Sequence, residues 1–244
     1  MTAPGAAAVL YALKGVRQRY GRRVVLDIPA LDIQSGETLG IIGPSGAGKT
    51  TLLRLLQFLE SPSEGTIAFD GARVDAAAGV GTVRRVSTVF QRPVMLTRSV
   101  RENVIFGRRL RGRVDAGGVD GLLVRLALAG LAETPAHTLS GGEAQRVALA
   151  RAIATGAEVL LLDEPAANLD PGHVARVEAV IREQQADGRT IVLVTHNAHE
   201  ARRLATRTMF LLNGQVVECR PTAELFDSPA DPRTRAFLDG ELVY

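Results

Sequence analysis

The chain has a single cysteine, only two lysines and no long apolar run among its 244 residues. Because Cys219 has no second cysteine to pair with, an intramolecular disulfide is excluded, and the composition favours a reducing compartment such as the cytoplasm. No uninterrupted apolar segment reaches the roughly 18 residues that a membrane-spanning helix needs. The first segment, MTAPGAAAVLYALKG, lacks the basic stretch of a signal peptide. We therefore expect a soluble protein that is not exported, with a peripheral position on a membrane left open.

The scarcity of lysine draws attention to where the two lysines stand. The chain has 29 basic side chains, and all but Lys14 and Lys49 are arginines. A lysine ammonium is a compact point charge that a planar guanidinium cannot replace in a tight loop. Lys49 lies inside a glycine-rich stretch, GPSGAGKT, which points to a specific use of its charge.

Arginine is unevenly distributed along the chain. One segment is rich in it and contains few acids, namely Glu102, Asp115 and Asp120, against the arginines at 84, 85, 92, 98, 101, 108, 109, 111, 113 and 125. Such a segment could face acidic lipid, nucleic acid or an acidic protein loop. An ordinary solvated helical surface explains it equally well.

The first third of the sequence has the pattern of strands and turns. Apolar and polar residues alternate on both sides of Tyr20-Gly21 and again around Asp70-Gly71, which predicts two antiparallel hairpins. Between them, a short apolar strand (TLGIIG) leads through the glycine-rich stretch into a segment with leucines at helical spacing (KTTLLRLLQFLE). The order of strand, glycine loop and helix is the one that a phosphate-binding loop requires.

The rest of the chain alternates helices with buried strands after a helical interruption. From Gln91 to Thr138 the pattern is helical, which predicts a small helical subdomain inserted into the core. Two continuously apolar strands follow (EVLLLDE and TIVLVTH), each between helical segments, as in a parallel sheet covered on both faces. A last hairpin is predicted on the Asn213-Gly214 turn. There is no internal repeat.

The glycine-rich stretch matches the complete phosphate-loop pattern, with Gly43, Gly48, Lys49 and Thr50 at the required spacing. Glycines allow the backbone N–H groups to wrap closely around an anion, and the following helix adds its positive N-terminal end. Lys49 is then expected to contact the β- and γ-phosphates, and the Thr50 hydroxyl is expected to bind Mg²⁺.

Polar side chains follow three of the apolar strands at the edge where open α/β sheets bind ligands. Asp163 and Glu164 end one strand, His196 follows another and Gln91 follows a third, VSTVF. Two adjacent carboxylates there are costly unless a cation compensates them, so we assign Asp163 to Mg²⁺ and Glu164 to a general base that polarises water. His196 is expected to contact the γ-phosphate if its strand is a neighbour.

At this point the chain resembles the ATP-binding cassette family. GPSGAGKT resembles its Walker A motif, VLLLDE its Walker B, LSGGE at 139–143 its signature and NLD at 168–170 its D-loop, while Gln91 and His196 take the places of the Q-loop glutamine and the switch histidine. Two positions depart from the family pattern, because Glu143 stands where glutamine is commoner and Ala166 where threonine is usual.

The resemblance implies the fold and most of the binding site. It implies an α/β protein with a P-loop core, a single cassette over residues 1–244, in which 1–90 and 139–244 form the core with an antiparallel β subdomain and 91–138 the helical subdomain. It implies that Tyr20 stacks on adenine, that Lys49, Gln91, Glu164 and His196 are catalytic, and that Thr50, Gln91 and Asp163 hold Mg²⁺. The implied ATP contacts are Tyr20, Gly43, Pro44, Ser45, Gly46, Ala47, Gly48, Lys49, Thr50, Thr51, Ser140, Gly141, Gly142 and Glu143.

The resemblance also implies a head-to-tail pair of identical chains, with each ATP between one Walker A loop and the partner's signature. The N-terminal end of a helix opening at Ser140 carries N–H groups without internal partners, so it can receive an anion presented by another copy.

Three functions remain open for the ATPase: the energising subunit of a membrane transporter, a soluble cassette acting on DNA or ribosomes, and an assembly scaffold. We favour transport, with permease subunits and indirectly a solute-binding protein as partners, no nucleic acid, and a peripheral place on the cytoplasmic face of the membrane. VFQRPVMLTRSVRENVIFGRRL resembles the segment that importer cassettes press against a permease, and the chain ends without the regulatory domain of sugar importers. The resemblance is strongest to tungstate and related oxyanion importers; phosphate, molybdate and amino acids are the alternative solutes.

Overall fold

The structure is a computed structural model that describes residues 8–109, 111–112 and 118–241. It opens with the predicted long hairpin, whose strands are β1 (Val9–Tyr20) and β2 (Arg23–Gln34). Strand β1 also pairs with β4 (Glu64–Phe69), and β4 pairs with β5 (Ala72–Val74), all antiparallel. Both residues of the Asp70-Gly71 turn have positive φ, as a tight hairpin turn requires. Both predicted N-terminal hairpins are therefore confirmed.

A parallel set of strands continues the same sheet. These strands are β3 (Thr38–Ile42), β6 (Val86–Val89), β7 (Val159–Asp163) and β8 (Thr190–Val194), followed by the C-terminal hairpin of β9 (Arg207–Leu212) and β10 (Gln215–Pro221). The strand order is β5-β4-β1-β2-β10-β9-β3-β8-β7-β6. Strands β3, β8, β7 and β6 run parallel to one another, and β9 runs parallel to β3. The N-terminal hairpins join this set where β2 meets β10, at Asp27 and Gln215.

Helices cover both faces of the sheet. They are α1 (Lys49–Leu56), α2 (Val80–Val83), α3 (Val100–Arg109), α4 (Val119–Arg125), α5 (Gly141–Ala154), α6 (Pro171–Ala186), α7 (Ala198–Leu204), α8 (Thr222–Asp227) and α9 (Pro232–Leu238), with 3₁₀ turns at Ala129–Leu131 and Ala136–Thr138. Within the described ranges, no helix combines the length and the apolar character needed to cross a bilayer.

The apolar strands are continuous because both of their faces are buried. In β7, Val159 and Leu161 join the core under the N-terminal hairpins and α1, whereas Leu160 and Leu162 join the core under α3, α5 and α6. Strand β8 divides in the same way. Successive side chains of a strand point to opposite faces, so a strand between two helix layers needs apolar residues at every position. The predicted α/β class is therefore confirmed.

The structure corrects one sequence prediction about a helix and adds two helices that were not predicted. The helix predicted over KTTLLRLLQFLE ends at Leu56, because the carbonyl there accepts the buried hydroxyl of Tyr11 at 3.0 Å. Phe58 then takes a left-handed backbone and packs against the rings of Tyr11 and Phe69. Helices α8 and α9 were not predicted at all. Asp231 followed by Pro232 is a helix-start signal that could have identified α9, since its carboxylate accepts the N–H of Arg233.

Several arginines of the arginine-rich segment pair with acids, most of which lie outside that segment. Arg85 pairs with Asp70 and Glu158, and Arg101 pairs with Asp120 and Glu133. A third arginine, Arg125, pairs with Glu183, and Arg113 lies outside the described residues. The segment is therefore less basic in three dimensions than in sequence, which favours a solvated surface over a nucleic-acid site.

Candidate nucleotide site

The loop between β3 and α1 needs glycine at two positions. Gly43 has φ of 151°, and a Cβ there would lie 2.1 Å from the carbonyl oxygen of Leu211. At Gly48, with φ of 101°, a Cβ would lie 2.8 Å from the carbonyl oxygen of Val25. A side chain at either position would therefore push the loop off the sheet, and α1 begins directly after Gly48.

Lys49 is buried in the curve of this loop. Its ammonium donates to the carbonyl oxygens of Gly43 at 2.7 Å and Pro44 at 2.8 Å. Burial lowers the pKa of Lys49, and the nearby charges of Glu164 and Asp163 oppose that shift. The loop thus holds a positive charge that is poorly hydrated and ready to interact with an anion.

Asp163 and Thr50 meet at the end of β7. The Thr50 hydroxyl donates to Asp163 at 3.1 Å, and Asp163 is almost completely buried. Burial raises the pKa of Asp163, while the hydrogen bond from Thr50 and the charge of Lys49 lower it. A carboxylate and a hydroxyl at this distance are hard oxygen donors of the kind that Mg²⁺ prefers, so the donor set fits the ion that the sequence predicts.

Glu164 leaves the strand in a left-handed conformation, with φ of 53°. This backbone costs on the order of 1–3 kcal/mol in a residue with a side chain, so its surroundings must hold it. Its N–H donates to the carbonyl of Val194 at 2.9 Å, and its Oε1 accepts from the backbone N–H of His196 at 2.9 Å and lies 2.7 Å from the ring Nδ1 of His196. Strands β7 and β8 are neighbours, which meets the condition set for His196, and its contact with the γ-phosphate stays a prediction.

These groups surround one cavity of about 420 Å³. Of the predicted site residues, the structure places Ser45, Gly46, Gly48, Lys49, Thr50, Thr51, Gln91, Asp163, Glu164 and His196 on its wall. Gly43, Pro44 and Ala47 shape the loop behind the wall, where the first two provide carbonyls to Lys49. The cavity is polar and cationic at the loop and acidic at the strand ends, an arrangement suited to a polyphosphate with its divalent cation.

Tyr20 is not part of this cavity wall. Its hydroxyl donates to Glu60 at 2.5 Å, and its ring is 44% exposed at the end of β1. Two residues of the neighbouring strand line the cavity, namely Arg23 and Val25, which stand at alternate positions of β2. Neither residue was predicted from the sequence, although the two-residue periodicity of a strand beginning just after Tyr20 could have indicated a shared face. The stacking role of Tyr20 stays a prediction.

The signature residues lie apart from the cavity. Helix α5 begins at Gly141, and Ser140 caps it: the Ser140 hydroxyl oxygen accepts from the Glu143 N–H at 3.4 Å, and the Glu143 carboxylate accepts from the Ser140 N–H at 2.8 Å. The cavity wall that the described residues form includes none of the four signature residues, Ser140, Gly141, Gly142 and Glu143. The Ser140 hydroxyl also donates to the Glu143 carboxylate at 2.7 Å, and this bond, together with the one from the Ser140 N–H, lowers the pKa of Glu143. The glutamate that replaces the commoner glutamine thus closes a capping box.

Comparison with known proteins agrees with this geometry. A family profile described as "ABC transporter" matches residues 26–167. The phosphate import ATP-binding protein PstB 2 of Natronomonas pharaonis is 42% identical, over 96% of this chain and 87% of the relative. The tungstate uptake system ATP-binding protein TupC of Peptoclostridium acidaminophilum is 38% identical, over 84% of this chain and 96% of the relative.

A solved structure shows the same fold. CbiO1 from Clostridium perfringens, described as part of an ABC transporter complex, superposes with a TM-score of 0.78 at 28% identity, over 94% of this chain and 95% of that one. The family profile, the full-length relatives and this structure agree with the motifs gathered around the cavity. The chain belongs to the ABC transporter family and is one of its ATP-hydrolysing cassettes.

Proposed function

We propose that this cassette works as a pair of identical chains that hydrolyse Mg²⁺-ATP to drive an importer, and that the imported solute is tungstate or a related oxyanion. The convergence of Lys49, Asp163, Glu164 and His196 on one cavity carries the ATPase part of the proposal. The relatives that act in tungstate and phosphate import support the choice of an oxyanion.

Six side chains of the cavity take part in hydrolysis in this proposal. Lys49 releases its loop carbonyls and binds the β- and γ-phosphates, and Gln91 contacts the nucleotide from the end of β6. Thr50, Asp163 and Gln91 would hold Mg²⁺, which when bound would neutralise phosphate charge. Glu164 accepts a proton from the attacking water, and His196 orients the Glu164 carboxylate through the 2.7 Å contact at Nδ1.

The position of the signature supports a second copy as the partner. The tip of α5 offers a helix N-terminus that its own cavity does not use, and such a tip stabilises an anion. A γ-phosphate presented by another copy would therefore link two chains through Ser140, Gly141 and Gly142. Hydrolysis removes the shared charge and loosens the pair.

The experiment for this mechanism is size-exclusion chromatography of Glu164→Gln with and without ATP. We expect a dimer with ATP and a monomer without it, and Ser140→Ala in the same background should weaken the dimer. A Glu164→Gln protein that stays monomeric at saturating ATP would contradict the two-copy site while leaving the assignment of the cavity intact.

The permease side of the proposal rests on the segment that follows β6. Phe90 is 42% exposed and Val94 is 80% exposed beside the site residue Gln91. Exposed apolar side chains next to a nucleotide contact fit a docking surface for membrane permease subunits, with a solute-binding protein acting beyond them. We therefore also propose that the cassette sits on the cytoplasmic face of the membrane and that residues 91–138 form a helical subdomain that carries the docking surface.

Uptake measurements test the solute. Deletion of the gene should abolish high-affinity tungstate uptake, with molybdate and phosphate uptake measured in the same cells. Complementation with the wild type should restore uptake, and complementation with Lys49→Ala should not. Loss of phosphate uptake alone would identify phosphate and not tungstate as the solute. Unchanged uptake of all three anions would refute the proposal that the solute is an oxyanion.

A further inference from the structure

Gln145 is a buried polar residue to which the proposed mechanism gives no task. It lies on α5, shortly after the signature, and is only 4% exposed. Its side-chain amide lies within hydrogen-bonding distance of two carbonyl oxygens, that of Glu164 at 3.3 Å and that of Phe90 at 3.5 Å. A glutamine amide has two N–H groups and can donate to both. Gln145 therefore bridges the ends of β6 and β7, just before Gln91 and at the general base itself.

The contact with Glu164 bears on a strained residue. The left-handed backbone of Glu164 persists only because neighbouring groups hold it. Its N–H is held by Val194, and its carbonyl oxygen accepts from the N–H of Ala167 at 3.2 Å as well as from Gln145. Of these partners, Gln145 is the one that belongs to the helix carrying the signature. Gln145 thus ties the backbone of Glu164 to α5, while the Glu164 carboxylate contacts the backbone N–H and the ring of His196.

Helix α5 can transmit a displacement of its N-terminal end to Gln145, because a neighbouring side chain ties the helix to the end of α4. Arg146, the next residue, is buried and donates to the carbonyl oxygens of Leu126 at 2.7 Å and Ala127 at 3.1 Å, at the end of α4. A packed helix of 14 residues moves as a rigid body over displacements of the size that makes or breaks a hydrogen bond. The two bonds of Gln145 are already near the upper limit for N–H···O contacts, so a small shift of α5 would strengthen or break them.

We propose that Gln145 is a positioning residue that links the signature helix of each copy to the general base of the same copy. A γ-phosphate of the partner chain, bound at the tip of α5, would set the amide of Gln145 and through it the backbone of Glu164. The two ATP sites of the pair would then be coupled within each chain. This inference rests on the proposed two-copy function.

The first test compares Gln145→Met with the matched control Gln184→Met. Gln184 is equally buried, at 4% exposure, but lies on α6 away from the nucleotide cavity. We expect Gln145→Met to lower kcat by about 10-fold or more while the affinity for ATP changes less than about 2-fold, because the bond acts on the general base and not on the phosphate loop. The control should keep both values. Equal kcat in the two variants would overturn the proposal.

A second variant tests whether the first loses activity because its fold is damaged. Gln145→Asn keeps the amide but is one methylene too short to reach both carbonyls, so it should share the loss of kcat at an unchanged affinity for ATP. A loss of ATP affinity in parallel with kcat, in both variants, would indicate general damage to the fold and would also overturn the positioning role.

A double-mutant cycle with Ser140→Ala tests the link itself. If α5 transmits the signature contact through Gln145, the double variant should be no more than about 3-fold slower than the slower single variant. Multiplicative losses would overturn the link while leaving the two-copy site intact. Normal turnover in Ser140→Ala alone would refute the two-copy function, and the link would fall with it.

Discussion

Lys49→Met is the sharpest perturbation of the site, because it removes the charge and keeps the length of the side chain. The chain also supplies a matched control, since Lys14, its only other lysine, is exposed on β1. Lys14→Met makes the same chemical change far from the cavity. A difference between the two variants therefore reports the position of the charge and not the loss of a lysine.

The structure sets the expected effect on stability. Two hydrogen bonds from a charged donor to Gly43 and Pro44 contribute roughly 1.5–3 kcal/mol each. Burial of the ammonium opposes them, and it lowers the pKa of Lys49 against the nearby charges of Glu164 and Asp163. A group with a lowered pKa disfavours its charged form in the folded state, so a neutral side chain of equal length should change the free energy of unfolding by no more than about 1 kcal/mol.

The expected effect on turnover is much larger. Loss of one preorganised charged donor to the reacting phosphates costs about 3–4 kcal/mol, or on the order of 10²–10³ in rate. The assay is phosphate release at saturating Mg²⁺-ATP, with urea unfolding of the same samples. If Lys49→Met retains more than about a tenth of wild-type turnover, the assignment of Lys49 to the reacting phosphates is refuted. If Lys14→Met loses turnover equally, the loss does not depend on where the lysine stands.

Three further predictions concern single side chains. His196→Ala should lower kcat by about 100-fold with less than about 0.5 kcal/mol change in stability, because its side chain is 69% exposed, whereas His199→Ala should leave turnover unchanged in the same phosphate-release assay. Tyr20→Ala should weaken ATP binding by roughly 5- to 100-fold and Tyr20→Phe should not, if the ring stacks on adenine; equal affinities by calorimetry would exclude stacking. Burial raises the pKa of Glu200, with the charge of Glu164 adding to the effect, so its contribution to stability is present at low pH and is lost as pH rises through the raised pKa. In urea unfolding, the advantage of Glu200→Gln over the wild type should grow with pH to about 1 kcal/mol, and a difference independent of pH would contradict this.

The sequence was sufficient for those parts of the site that depend on local chemistry. The phosphate loop passes so close to Leu211 and Val25 that residues with a side chain do not fit at Gly43 and Gly48. The spacing of these two glycines therefore identifies the loop from the sequence. Strands buried on both faces are apolar at every position, and the polar residue that ends such a strand stands out, as Asp163 does. These signals span a few residues, and no distant contact is needed to recognise them.

Tertiary packing decided the features that depend on residues far apart in the chain. The early end of α1 follows from Tyr11, whose buried hydroxyl binds the carbonyl of Leu56. The wall position of Arg23 follows from the pairing of β2 beside the loop and not from any motif. The bridge from Gln145 to Glu164 joins groups 19 residues apart, and no spacing rule predicts it. The sequence alone determined which groups can bind a phosphate and activate water, because that chemistry resides in residue types and short spacings. Only the folded chain determined their distances and directions, because those depend on how strands and helices pack against one another.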